Sequence, residues 1–269
     1  MRPPIRIVLL SIAVVLLTEA SIARTWYVAA DGSGDAPTVA AAVDSSAAGD
    51  VILVGPGTHS VVSEAGGGVT LKPSTSILSV SGPTTTELFA GAGPLQPGLI
   101  GLRDNCVVTG FTLTGGQLST ISCTGSNVEV STNIVKGRIV ISGTGNIHHN
   151  VVDQPVMTIH VASAGPIQIQ NNIVLGEITS FNPGCLFNVL VTCNLIQGAQ
   201  ACFLAYSNFD ADPLFCGLSN YYLRNDSPCA PGNHPDGYDC GLIGPLPVGC
   251  GPVNVEMKSW GAIKALYDD

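Results

Sequence analysis

The chain has 269 residues, 45% of them apolar and only 11% charged, with 32 Gly and 18 Pro. That composition excludes a disordered polymer and a charged coiled coil, and a net charge of −9 excludes a nucleic-acid binder. Little charge beside abundant Gly, Val, Ile, Thr and Asn favours strands and tight turns over helices.

The chain starts with a basic stretch, Arg2 and Arg6, before an uncharged, mostly apolar run from Ile7 to Leu17. The run is too short to cross a bilayer as a helix, which needs about 20 residues. Ser21-Ile22-Ala23 then places small residues at the −3 and −1 positions of a cleavage site. Residues 1–23 are therefore expected to be a secretory signal peptide cleaved after Ala23, the alternative being an uncleaved anchor. The mature protein is expected to be exported (secreted, periplasmic or at the cell surface), monomeric and not membrane-spanning. Residues 24–60 read as an N-terminal cap. Pro37-Thr38 followed by Val39, Ala42 and Val43 predicts a short amphipathic helix. It leads into a buried first strand over Asp50 to Val54.

Residues 61–200 carry an internal repeat. Anchored on Phe111, Asn133, Asn150, Asn172 and Asn194, it has intervals of 22, 17, 22 and 22 residues. Three residues before the anchors stand Val108, Val130, Ile147, Ile169 and Val191. One residue after stand Thr112, Ile134, Val151, Ile173 and Leu195, and two after stand Leu113, Val135, Val152, Val174 and Ile196. A β-branched strand, a turn at Asn and a second short strand cannot bury an apolar face alone. Stacked coils can, with strands of successive coils paired in parallel about 4.8 Å apart. Asn suits the bend because it tolerates the left-handed conformation, and its amide can bond the Asn above and below. The predicted fold is all-β: a right-handed parallel β-helix with Asn133, Asn150, Asn172 and Asn194 as a structural ladder. The 17-residue coil implies one trimmed corner.

From residue 201 to 251 the repeat gives way to Pro, Gly and Cys, which predicts a C-terminal cap. Nine Cys in an exported chain make disulfides plausible and leave at least one thiol unpaired within the chain. At least one disulfide is expected among Cys216, Cys229, Cys240 and Cys250. Residues 252–269 read as a linker and tail, with Trp260, Ile263 and Tyr267 at helical spacing behind Ser259. That tail would either fold back as a structural cap or serve as an address for export machinery.

Several stretches resemble the right-handed parallel β-helix proteins of the pectate-lyase-like superfamily, in its secreted bacterial form. They are Tyr27 to Asp35, Pro37-Thr38-Val39, Gly49 to Val54 and Pro56 to His59, followed by Gly110-Phe-Thr-Leu113. Asp212-Pro-Leu-Phe215, Ser227-Pro228 and Gly241-Leu-Ile-Gly244 are similar to the closing segment of such proteins. The resemblance covers roughly residues 26–250 and implies fold more than activity. Its lyases bind calcium through clustered Asp and use an Arg or Lys base, and its hydrolases and esterases use closely placed Asp. None of those motifs is matched here.

Within residues 101–198 the only acids are Asp104, Glu129, Asp153 and Glu177, scattered over different columns. That argues against a two-carboxylate mechanism. The candidate catalytic residues are Lys136, Arg138, His148 and Asp153, with Glu129 nearby. Lys136 and Asp153 would stack on adjacent coils, and His148 would share an outward column with Thr109, Ser131, Gln170 and Thr192. Together they could bind or deprotonate a sugar, or be a surface ion pair among solvated residues. His148-His149 is not read as a chelating pair, because neighbours on a strand face opposite sides. No cofactor is expected. Calcium is the one metal weighed, at Asp31 and Asp35 and at Asp210 and Asp212, where turn-forming Asp is the competing role. Tyr206, Tyr221, Tyr222 and Tyr238 would form either a sugar-stacking platform or the core of the cap. The functional expectation is a non-catalytic exported β-helix associated with polysaccharide or the cell envelope. The alternative is a polysaccharide lyase or glycoside hydrolase with a non-standard site.

Overall fold

The computed structural model describes residues 23–62, 67–90, 98–116, 118–154, 159–162, 165–180, 188–198, 207–217 and 220–250. The expected signal segment up to residue 22 and the tail 252–269 lie outside the described residues, as do Tyr206, Cys185 and Cys202. Three parallel sheets of eight, seven and six strands wind into a β-solenoid. One coil shows the pattern. Val128–Ser131 lies in the first sheet, Ile134–Lys136 in the second and Ile139–Ile141 in the third. The next coil repeats it with Gly145–His148, Val151–Val152 and Ile159–Val161.

The sequence columns fall in register. Val130 pairs with Val108 below and Ile147 above, Ile147 with Ile169, and Ile169 with Val191. Leu113, Val135, Val152, Val174 and Ile196 do the same in the second sheet. All these side chains are buried and form one continuous core. The 17-residue coil is tightened where Gly137 and Arg138 alone link the second sheet to the third. It is also tight at Gly145, where a Cβ would sit 2.1 Å from the Val128 carbonyl oxygen.

The Asn ladder runs through the first corner. Oδ1 of each Asn accepts from both the backbone N–H and the Nδ2 of the Asn one coil back: Asn150 from Asn133, Asn172 from Asn150, Asn194 from Asn172. Each Nδ2 also donates to a first-sheet carbonyl, as from Asn172 to Ile147. Asn208 extends the ladder by one rung, accepting from the N–H and Nδ2 of Asn194 at 2.9 Å. The left-handed backbone sits one residue before the anchors, at Gly110, Thr132, His149, Asn171, Cys193 and Ser207. The Asn side chains therefore act as cross-coil bridges, and their neighbours make the bend.

At the N-terminal end the predicted helix spans Val39–Ser45, capped by Thr38, whose hydroxyl accepts from the Ala41 N–H at 3.1 Å. It buries Val39, Ala40, Ala42 and Val43 on the first coil. Buried Asp50 ties this end together, accepting from Arg24 N–H, Ala47 N–H and Trp26 Nε1 at 2.8–2.9 Å. Burial alone would raise its carboxyl, but these donors hold it below the usual carboxylate range. The outermost strand, Thr25–Val28, is blunted: Tyr27 N–H donates to Asp35 and Asp35 N–H donates to the Tyr27 carbonyl.

The C-terminal segment does more than close an end. It folds back along the outside of the second sheet. The column Ile134, Val151, Ile173 and Leu195 points away from the solenoid core, and Phe209, Tyr221, Leu223, Cys229, Ile243 and Leu246 bury it in a second apolar cluster. Asn171 Nδ2 donates to the carbonyls of Cys240 and Leu242, and Gly244 N–H donates to the Asn171 carbonyl. Cys193–Cys240 staples this lobe to the last coil, and Cys216–Cys250 closes the lobe on itself, meeting the expectation of a disulfide there. Cys106, Cys123 and Cys229 are free and buried.

Candidate functional site

The candidate residues lie on three different faces. Lys136 ends a second-sheet strand and is exposed. Asp153 follows Val152 on the next coil, as the spacing implies, but among the described residues it forms no ion pair with Lys136. Its carboxylate instead accepts from the Tyr221 hydroxyl at 2.7 Å, so it anchors the C-terminal lobe. Burial, and then this bond to Asp153, raise the Tyr221 phenol above its ordinary range. Tyr221→Phe is expected to cost about 1–2 kcal/mol in denaturant unfolding, the worth of a partly screened bond to a charged acceptor.

Arg138 turns to the third sheet. Its Nε is buried without a hydrogen-bond partner among the described residues. After burial, its charge is the second influence lowering His160, a buried residue whose Nδ1 lies 3.0 Å from Thr179 Oγ1.

The first sheet holds the polar cluster. Glu129 Oε1 accepts from Ser131 Oγ at 2.9 Å and lies 3.4 Å from His148 Nε2. Ser131 Oγ, its proton committed to Glu129, accepts from the Thr109 hydroxyl at 3.1 Å, and the outward column Thr109, Ser131, His148, Gln170, Thr192 is in register. His148 Nδ1 is also 2.9 Å from His149 Nδ1. The expectation that adjacent His side chains diverge fails here. The strand ends at His148, and His149 is left-handed at φ 53°, which swings its ring back to the same side. Desolvation, then His148, lower the His149 imidazole below its usual range.

The acidic stretches weighed for calcium carry local bonds. Asp31 Oδ1 accepts from the Ser33 N–H and hydroxyl, Asp35 holds Tyr27, and Asp212 accepts from the Leu214 N–H. Asp210 is exposed. Among the described residues no group of three or more His, Cys, Asp or Glu is arranged to hold a metal. Among the described tyrosines, Tyr221 is buried in the second apolar cluster, Tyr222 packs against that cluster and Tyr238 is exposed.

Composition and spacing did not reveal one concave surface. A groove of about 330 Å³ lies on the outer face of the third sheet, across three coils. Gly98 and Gly101 floor it, with Thr70, Ser119, Ser122 and Thr124 along it and Arg103 among its lining. Thr70, Gly101 and Ser122 are consecutive register partners. At Gly101 a Cβ would come within 2.9 Å of Thr70 Oγ1, so the absent side chain is what keeps the floor open. Glycine and serine are common in every turn of this chain, so nothing in the sequence marks these as a surface.

No family model matches the chain, and no curated protein and no solved structure matches it. Among the described residues no helix is long and apolar enough to cross a membrane.

Proposed function

We propose that this is an exported, right-handed β-helix of the pectate-lyase-like type that binds polysaccharide on its third-sheet face without cleaving it. The groove carries the reading. It repeats coil by coil, in line with a polymer whose units also repeat, and it offers hydroxyls, backbone and one guanidinium to sugar hydroxyls and carboxylates. The disulfides are compatible with an oxidising compartment. Among the described residues the lining carries no carboxylate or imidazole, and Glu129 and His148 stand on the first sheet. A proton-transfer site for a lyase or hydrolase would need such groups at the bound sugar.

Ser122→Tyr fills the groove from an outward strand position and leaves the core untouched. It is expected to reduce retention on the preferred glycan in affinity electrophoresis by about tenfold or more, and Arg103→Ala to weaken acidic glycans by a similar factor. Unchanged retention in both variants would remove the groove from the binding site. New reducing ends or unsaturated sugars from the wild-type protein would promote the enzymatic alternative.

A further inference from the structure

We infer that buried Asp50 is the receptor for the α-ammonium group that processing creates on Arg24, so that removal of the leader locks the N-terminal cap. The inference rests on the reading of residues 1–23 as a cleaved segment and is independent of the glycan. Arg24 is held at three points. Its N–H donates to Asp50 Oδ1 at 2.8 Å, its carbonyl accepts from the Val51 N–H at 2.9 Å, and its guanidinium lies 3.6 Å over the Trp26 ring. The first strand starts at the next residue, Thr25. Cleavage after Ala23 would therefore make first the very residue that is already tied to the fold. Ala23 and Arg24 are both exposed.

Asp50 is only 3% exposed, and its donors, Arg24 N–H, Ala47 N–H and Trp26 Nε1–H, are all neutral. Among the described residues it forms no ion pair. The Arg24 guanidinium covers the Trp26 ring instead. The other charged groups at this corner belong to Asp44, near the helix end, and to Lys72, whose Nζ donates to the Asp44 and Ser46 carbonyls. A carboxylate taken out of water without a partner charge is costly.

Cleavage supplies that charge in place. A leader peptidase of the export machinery breaks the bond between the Ala23 carbonyl carbon and the Arg24 nitrogen. The hydroxyl of a water goes to Ala23 and its hydrogen to Arg24. The new Ala23 acid then releases one proton and the Arg24 amine takes one up, so the balance closes. One of the three ammonium N–H bonds keeps the direction of the old amide N–H to Asp50 Oδ1. The others face the side that Ala23 has left. A neutral hydrogen bond becomes a charge-assisted one, roughly twice as strong.

Intact mass and N-terminal sequencing of the exported protein come first, followed by competitive acylation of its α-amine. The chain is expected to start at Arg24. Its amine is expected to react about tenfold more slowly at about pH 7 than that of an Arg-Thr-Trp peptide, because an ion-paired amine titrates above the ordinary α-amino range. A chain that keeps Ala23 as its first residue retains the Arg24 N–H bond but carries the charge one residue away. It is expected to melt about 3 °C lower near neutral pH. The native amine titrates above the unfolded one, so this difference is full below the ordinary α-amino range and fades as pH rises through the native value. Asp50→Asn should restore ordinary amine reactivity, and the Ala23 chain decides the matter if that variant does not fold. An uncleaved protein would remove the leader reading and the inference with it. Cleavage at another bond, ordinary reactivity of an Arg24 amine, or equal melting of the two chains at every pH would overturn the inference and leave the leader reading intact.

Discussion

Asn172→Leu is expected to destabilise the protein by about 3–5 kcal/mol, at about 1–3 for each buried group left without a partner. Asn172 Oδ1 accepts from both the N–H and Nδ2 of Asn150, and its own Nδ2 donates to the carbonyls of Ile147 and Gln170 and to Asn194 Oδ1. Leucine is close in size but supplies none of these bonds, and water cannot replace them because the position is fully buried. The surface offers a control. Asn127 Nδ2 donates to Asn105 Oδ1 at 3.0 Å on an exposed corner. Asn127→Gly keeps the positive φ of that corner and should cost less than about 1 kcal/mol, since solvent can replace the lost bond. Urea unfolding of both variants checks the contrast. Equal small losses would mean that the ladder records the register without sustaining it.

The second large effect is expected from the disulfide that joins the lobe to the solenoid. Cys193 and Cys240 are 47 residues apart, and a closed loop of that length is worth about 4 kcal/mol in the chain-entropy account. Cys193→Ser with Cys240→Ser should therefore release the lobe before the coils unwind. Serine is tolerated at the left-handed corner, as Ser207 shows one coil on. Release uncovers Ile134, Val151, Ile173 and Leu195 on the outside of the second sheet. The expected readout is dye binding to exposed apolar surface with a retained β-sheet spectrum, plus faster hydrogen exchange around Tyr221 and Ile243. Opening Cys216–Cys250 should loosen the lobe without detaching it, because both sulfurs lie within it. Simultaneous loss of coils and lobe in the first variant would show a single cooperative unit and defeat the staple.

The solenoid was legible because its register is written in side-chain type. Each interval of 22 residues returns a β-branched residue to the same inward position, and only stacking buries such a column. The ladder was legible from Asn133 to Asn194 for the same reason. Asn208 was not, since it follows after 14 residues and its flanking columns do not repeat. The bend was placed one residue late. Asn, the repeating residue, makes the cross-coil bonds, and the chemically varied residue before it takes the left-handed conformation.

The candidate site was less legible. Column arithmetic brought Glu129, Ser131 and His148 together correctly on one face. It could not anticipate that His149 would turn onto that face, because alternation holds only while the strand continues. It also stacked Lys136 and Asp153 on adjacent coils, as the register has them, but it could not anticipate that the Asp153 carboxylate bonds Tyr221, 68 residues away.

Sequence alone determined the coil, its period, the short helix that follows Pro37-Thr38 and the buried columns, because each follows from local periodicity or from chemistry repeated at a fixed interval. Tertiary structure alone decided what covers the column Ile134, Val151, Ile173 and Leu195. In a solenoid both faces of a strand can be apolar only if something outside the coil buries the outer one. That partner, residues 209–246, shares no period with the coils and meets them through contacts distant in the chain. The groove is likewise tertiary, for a concave surface is made by side chains that are absent, and glycine at one position says nothing until its neighbours on the coils before and after it are in place.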